Sequence, residues 1–85
     1  MTPEKTEPLP QPDLSVDTCG KFCPVPILEV AKAIKTVQQG QVVEILATDP
    51  GVESDMPAWC KATRHELVSL TRLGKSFRVL VRRLV

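Results

Sequence analysis

The run Cys23-Pro24-Val25-Pro26 constrains this chain more than any other stretch of its length. A proline has no backbone N–H and its ring clashes with the preceding turn. Two prolines one residue apart therefore cannot lie in a helix interior. They are tolerated in a first turn, where the N–H groups have no partner in the helix anyway. Apolar residues then recur at Ile27, Val30, Ala31, Ile34 and Val37, the spacing of one helical face, with Glu29, Lys32, Lys35 and Thr36 on the other side. The run thus predicts a helix start with the Cys23 thiol at the positive end of the dipole. That environment favours thiolate over thiol and makes Cys23 a candidate for sulfur chemistry.

Other elements follow from pattern. Leu14-Ser15-Val16-Asp17 alternates as a short strand, and Cys19 to Phe22 turns into the helix. Gly40 is placed to be the left-handed terminator of that helix. Gln41 to Ala47 is rich in β-branched residues and reads as a largely buried strand. A second helix, about Gly51 to Thr63, is expected with Asp49 as N-cap and Pro50 as its first residue. Pro57 should kink it or split off a first turn. Its inner stripe would be Val52, Met56, Trp59, Cys60 and Thr63.

The last third reads as a hairpin about Gly74-Lys75, a type II′ turn. It pairs Leu73 with Ser76, Arg72 with Phe77, Leu70 with Val79 and Val68 with Val81. One face then carries Val68, Leu70, Phe77, Val79 and Val81. The other carries Ser69, Thr71, Arg78 and Arg82, interrupted by Leu67, Leu73 and Leu80. The order β-α-β-α-β-β predicts a two-layer α/β (α+β) sandwich, a four-stranded mixed sheet with two helices on one face. Its first crossover should be right-handed.

At 85 residues the chain has room for one small domain. Prolines at 3, 8, 10 and 12 mark residues 1–12 as a disordered tail, leaving 13–85 as the domain. That opening stretch does not read as a signal peptide, and no segment is long and apolar enough for a membrane span. The three cysteines are expected as free thiols in a reducing compartment. Net charge is only +1, but residues 61–85 hold seven basic side chains against Glu66 alone. Arg78, Arg82 and Arg83 could face an acidic partner protein or RNA, or simply solubilise a strand. The only aromatic residues are Phe22, Trp59 and Phe77, so direct nucleic-acid binding is poorly supported.

Taken together these motifs resemble the TusA-like (SirA-like) sulfurtransferases and sulfur carriers. The resemblance rests on Asp17-Thr18-Cys19-Gly20-Lys21-Phe22-Cys23-Pro24-Val25-Pro26, then on Leu46-Ala47-Thr48-Asp49-Pro50-Gly51, Asp55-Met56-Pro57-Ala58-Trp59-Cys60 and His65-Glu66-Leu67. It spans about residues 14–83. It implies a cytoplasmic protein that carries sulfur as a persulfide on Cys23. The donor would be a cysteine desulfurase or rhodanese-type protein, and the acceptor a DsrE/TusD-type protein or similar. The relay would lead toward tRNA thiolation, molybdenum-cofactor work or sulfur oxidation. Arg64 departs from the family by standing where a glycine is common, and Cys19 is not part of the minimal signature.

Around Cys23, the expected site-shaping residues are Asp17, Gly20, Lys21, Pro24 and Pro26. Asp17 is expected to bond loop N–H groups and Lys21 to add positive charge. Cys19 has three readings: a strand-end residue, a second thiol that resolves the persulfide, or half of a Cys19/Cys23 dithiol redox pair. Cys19, Cys23, Cys60 and His65 could total four zinc ligands, but paired CxxC spacing is absent, so no metal site is expected. Cys60 reads as core and His65 as a structural hydrogen-bonding group. Thiol exchange needs no cofactor, and none is expected. The alternative to a carrier is a non-catalytic protein- or RNA-interaction module using the basic hairpin.

Overall fold

The computed structural model describes residues 11–21 and 25–85. Strand β1 (Leu14–Asp17) leads to helix α1 (Val25–Ile34), and strand β2 (Val42–Ala47) to helix α2 (Val52–Thr63). Strands β3 (Glu66–Leu73) and β4 (Ser76–Arg82) form the closing hairpin. The sheet order is β1-β2-β4-β3. β1 runs parallel to β2, and β4 is antiparallel to both β2 and β3. This is the α+β two-layer sandwich that the element order suggested.

Both helices pack on one face. Val30, Ala33 and Ile34 of α1 and Val52, Met56 and Cys60 of α2 share a single cluster with Val43, Ile45 and Ala47 of β2 and Phe77, Val79 and Val81 of β4. Along β2 and β4, alternate residues supply that core, as the period of a strand requires. Among the described residues no helix is long and apolar enough to cross a membrane.

Several local expectations need correction. Helix α1 stops at Ile34, so Val37 is buried from the connection rather than from the helix. Gly40, at φ +87°, does not terminate α1. It sits in the turn where the Gln41 N–H meets the Gln38 carbonyl at 3.0 Å, feeding β2. Helix α2 begins at Val52 with Gly51 at its N-cap, and Asp49 acts one step earlier, accepting the Gly51 N–H at 3.1 Å. Pro57 lies inside α2, which stays continuous from Val52 to Thr63. The proline removes one backbone donor, and its neighbours Met56 and Cys60 are anchored in the core.

The hairpin turn holds Gly74 at φ +63°, while Lys75 is not left-handed, as a type II′ turn requires. Pairing follows the expected register from Leu73–Ser76 to Leu70–Val79. A bulge between Leu67 and Ser69 then puts Leu67, not Val68, opposite Val81. Leu67 thereby packs against the core. Leu80 is fully buried although it falls outside the helix-side cluster. It is flanked by Arg78 and Arg82 along its strand and by Glu44 and Ser69 across it.

Candidate functional site

The loop leaving β1 hangs on the end of β2. Asp17 closes β1, and its Oδ1 accepts the Cys19 N–H at 2.9 Å, a turn typical of aspartate. The backbone N–H and the hydroxyl of Thr18 both donate to the Leu46 carbonyl at 2.7 Å. Thr18 is fully buried, so this pair of hydrogen bonds to one carbonyl oxygen satisfies groups that water cannot reach. The Lys21 N–H returns to the Thr18 carbonyl at 3.0 Å. Gly20, third residue of that turn, has φ +83°, a conformation glycine adopts without a side-chain clash. Its N–H donates to Thr48 Oγ1 at 2.9 Å.

Cys23 and Pro24 lie outside the described residues, together with Phe22. In sequence, Cys23 is two positions ahead of Val25, where α1 begins. Pro26, the second residue of α1, is fully buried in its first turn. Lys21 is exposed at the other edge of the loop. Its charge adds a smaller pull on the Asp17 carboxyl, which is held below its usual range mainly by the Cys19 N–H and then by the Cys19 thiol.

The same contact acts on Cys19 with the opposite sign. A thiol that donates to a carboxylate resists losing its proton, so the Cys19 pKa is raised despite full exposure to water. Cys19 is accessible but held in its less nucleophilic form. Cys60 is buried on α2, and burial pushes its thiol up to about 11. Among the described residues no group of three or more His, Cys, Asp or Glu side chains is arranged to hold a metal ion.

His65 lies far from the loop in role. Its Nδ1 accepts the Leu84 N–H at 3.2 Å, and its ring lies 5.6 Å from that of Trp59. Burial, and next the positive charge of Arg83, hold its pKa below the ordinary value.

Arg78 and Arg82 both lie on β4 and both have intramolecular partners. Arg78 pairs with Glu44 of β2, and Glu44 also accepts the Ser15 hydroxyl at 2.6 Å. Those two contacts hold the Glu44 carboxyl below its usual range, the serine being the larger cause. Arg82 meets Glu66 of β3 at 2.8 Å. Sequence reasoning missed the roles of Thr18 and Thr48, the two hydroxyl side chains that tie the loop to β2. A polar residue at the end of each of two adjacent strands was the available signal.

Comparison with known proteins agrees with this geometry. The family model for sulfurtransferase TusA matches residues 14–83. A protein of Archaeoglobus fulgidus named "Putative sulfur carrier protein" is 39% identical over 69 residues, covering 81% of this chain and 94% of its own length. The crystal structure of a SirA-like protein from Desulfitobacterium hafniense superposes with a TM-score of 0.73 at 16% identity. That match covers 85% of this chain and 99% of the other, and it speaks for the fold.

Proposed function

Because this chain belongs to the TusA sulfurtransferase family, we propose that it carries sulfane sulfur between proteins as a persulfide on Cys23. The Cys23 thiolate attacks the outer sulfur of a donor protein's persulfide. The new bond joins Cys23 to that sulfur, the donor's S–S bond breaks, and the donor leaves as a thiolate. An acceptor thiolate then attacks the same outer sulfur and Cys23 is released as a thiolate. Sulfur moves with no net oxidation, so no cofactor or external electron acceptor is needed. Turnover requires both partner proteins, for which cysteine desulfurase or rhodanese-type donors and DsrE/TusD-type acceptors are the classes to try first.

One observation supports this reading most. Helix α1 starts two residues after Cys23, with Pro26 buried in its first turn. A helix start presents free N–H groups and a positive dipole end, which can stabilise a thiolate without a general base. Arg78 and Arg82 enter the reading only as secondary partner contacts, because each must first release a carboxylate.

The test is sulfur loading by a cysteine desulfurase and cysteine, read by mass spectrometry of the intact protein. The wild type should gain one sulfur atom on Cys23, removable by a reductant, and Cys23→Ser should gain none. Equal loading of Cys23→Ser would end the proposal.

A further inference from the structure

The loop between β1 and α1 is tied to the rest of the fold unevenly. At its root, Thr18 donates twice to the Leu46 carbonyl, a backbone acceptor that any residue at 46 would supply. Further along, the Gly20 N–H donates to Thr48 Oγ1 at 2.9 Å. Among the described loop residues, that is the one hydrogen bond to a side chain of another element. The next fixed point is Pro26, fully buried in the first turn of α1. In sequence Cys23 stands midway, three positions after Gly20 and three before Pro26.

The turn from Thr18 to Lys21 does not fix itself. Its closing bond, from the Lys21 N–H to the Thr18 carbonyl at 3.0 Å, is compatible with either orientation of the central Cys19–Gly20 peptide. Gly20 has φ +83°, with open space where a Cβ would stand, and glycine populates negative φ about as readily. Rotating the central peptide to reach negative φ turns the Gly20 N–H to the opposite face of the turn. It also changes the direction in which the chain leaves Lys21. The Thr48 hydroxyl holds that N–H and so selects one of the two forms. Thr48 is well placed to do so. It follows β2 directly, and the next residue, Asp49, accepts the Gly51 N–H at 3.1 Å and the Val52 N–H at 3.2 Å. One hydrogen bond at the surface adds little to global stability, so its effect falls on which way the peptide faces.

We propose that Thr48 is a positioning residue for sulfur transfer: through the Gly20 N–H it sets the turn that aims the Cys23 segment at the donor's persulfide. The inference rests on the carrier reading and adds to it a residue of β2's end that touches no sulfur. Thiolate attack on a persulfide needs its sulfur atoms aligned and close, and a misplacement on the order of 1 Å can cost about 100-fold in rate. A small alkylating agent has no docked geometry to satisfy and meets the thiol wherever the turn leaves it. Thr48 therefore acts on transfer from a protein donor and not on the reactivity of the thiol itself.

The test compares the full chain with Thr48→Val, which keeps the branched shape and removes the hydroxyl, and with Thr48→Ser, which keeps the hydroxyl. Sulfur loading by a cysteine desulfurase and cysteine is followed at varied carrier concentration. In Thr48→Val the kcat for loading should fall about 10-fold with KM unchanged, as expected when alignment rather than docking is lost. Thr48→Ser should restore most of the rate. Alkylation of Cys23 by iodoacetamide, read by peptide mass spectrometry, should proceed alike in all three proteins. Hydrogen exchange should speed up at the Gly20 amide in Thr48→Val and stay unchanged at Thr18 and along β2. The proposal is overturned if Thr48→Val loads like the wild type, or if serine fails to rescue. It is overturned as well if alkylation slows as much as loading, which would place the effect on the thiol. Faster exchange at Thr18 and β2 would do the same by making the loss one of folding. A wild type that never gains sulfur would instead sink the carrier reading itself, so the two failures are told apart.

Discussion

At the scale of single residues, the three cysteines show how little a thiol's identity says about its chemistry. Cys60 is a core residue whose ionisation is suppressed by burial. Cys19 is exposed yet held as a thiol by Asp17. The sequence placed Cys19 four positions from Cys23 and left its part open, because a hydrogen bond between side chains two residues apart depends on the turn they sit in. With Asp17 accepting from both the N–H and the thiol of Cys19, the carrier reading makes Cys19 a bystander to loading. Cys19→Ser should therefore load sulfur like the wild type. Conversely, Asp17→Asn removes the charge that disfavours the Cys19 thiolate, and alkylation of Cys19 by iodoacetamide at neutral pH should speed up several-fold. The measurement is best made in a Cys23→Ser background, by peptide mass spectrometry. An unchanged alkylation rate would mean that the carboxylate does not control this thiol.

At the scale of elements, periodicity made both helices, the β2 strand and the hairpin turn legible, since each buries residues at its own spacing. Ends were harder. Val37 continues the apolar spacing of α1 and is buried, but from the connection beyond the helix, so burial alone could not locate the stop. Leu67 and Val68 are both apolar, so no alternation could show which of them faces Val81, and the bulge went unseen. Arg64 was legible as a departure, and its structural consequence is specific. It caps α2 at φ 66°, ψ 31°, the one non-glycine residue with positive φ among those described. The His65 N–H, next in the chain, donates to the Cys60 carbonyl at 3.0 Å to complete the cap. A side chain in this left-handed conformation costs roughly 1–2 kcal/mol, while glycine gains back about 0.4–1 kcal/mol of freedom in the unfolded chain. Arg64→Gly should thus stabilise the fold by about 0.5–1 kcal/mol, and the β-branched Arg64→Val should destabilise it. Urea denaturation of the three proteins gives the order directly. A glycine variant less stable than the wild type would show that the arginine side chain contributes more than its backbone costs.

At the scale of the whole molecule, the partners of Arg78 and Arg82 were invisible to sequence reading. Glu44 lies 34 positions from Arg78, and the two meet only because β4 inserts between β2 and β3. The end of the chain is secured by the same kind of distant contact. Leu84 is held by the His65 Nδ1, and Arg83 by the Val37 carbonyl. His65 can accept that N–H only while Nδ1 is unprotonated. Burial and then the Arg83 charge lower its folded pKa below the ordinary 6.5. An unfolded chain takes up the His65 proton near 6.5, and the folded chain only at lower pH. Between those two points the unfolded state binds more protons, so stability must fall as pH drops from about 6.5. Asp17 and Glu44 add to acid destabilisation in a lower window, because their folded pKa values lie below the ordinary 3.8 and 4.5. Thermal melts between pH 7.5 and 5.5 should therefore show a decline that belongs to His65. Hydrogen exchange at the Leu84 amide should accelerate over the same range, ahead of the amides of β2. In His65→Gln both effects should flatten while the decline below pH 4.5 persists. A wild-type melting temperature that is constant from pH 7.5 to 5.5 would show that His65 does not couple proton binding to the docking of the chain's end.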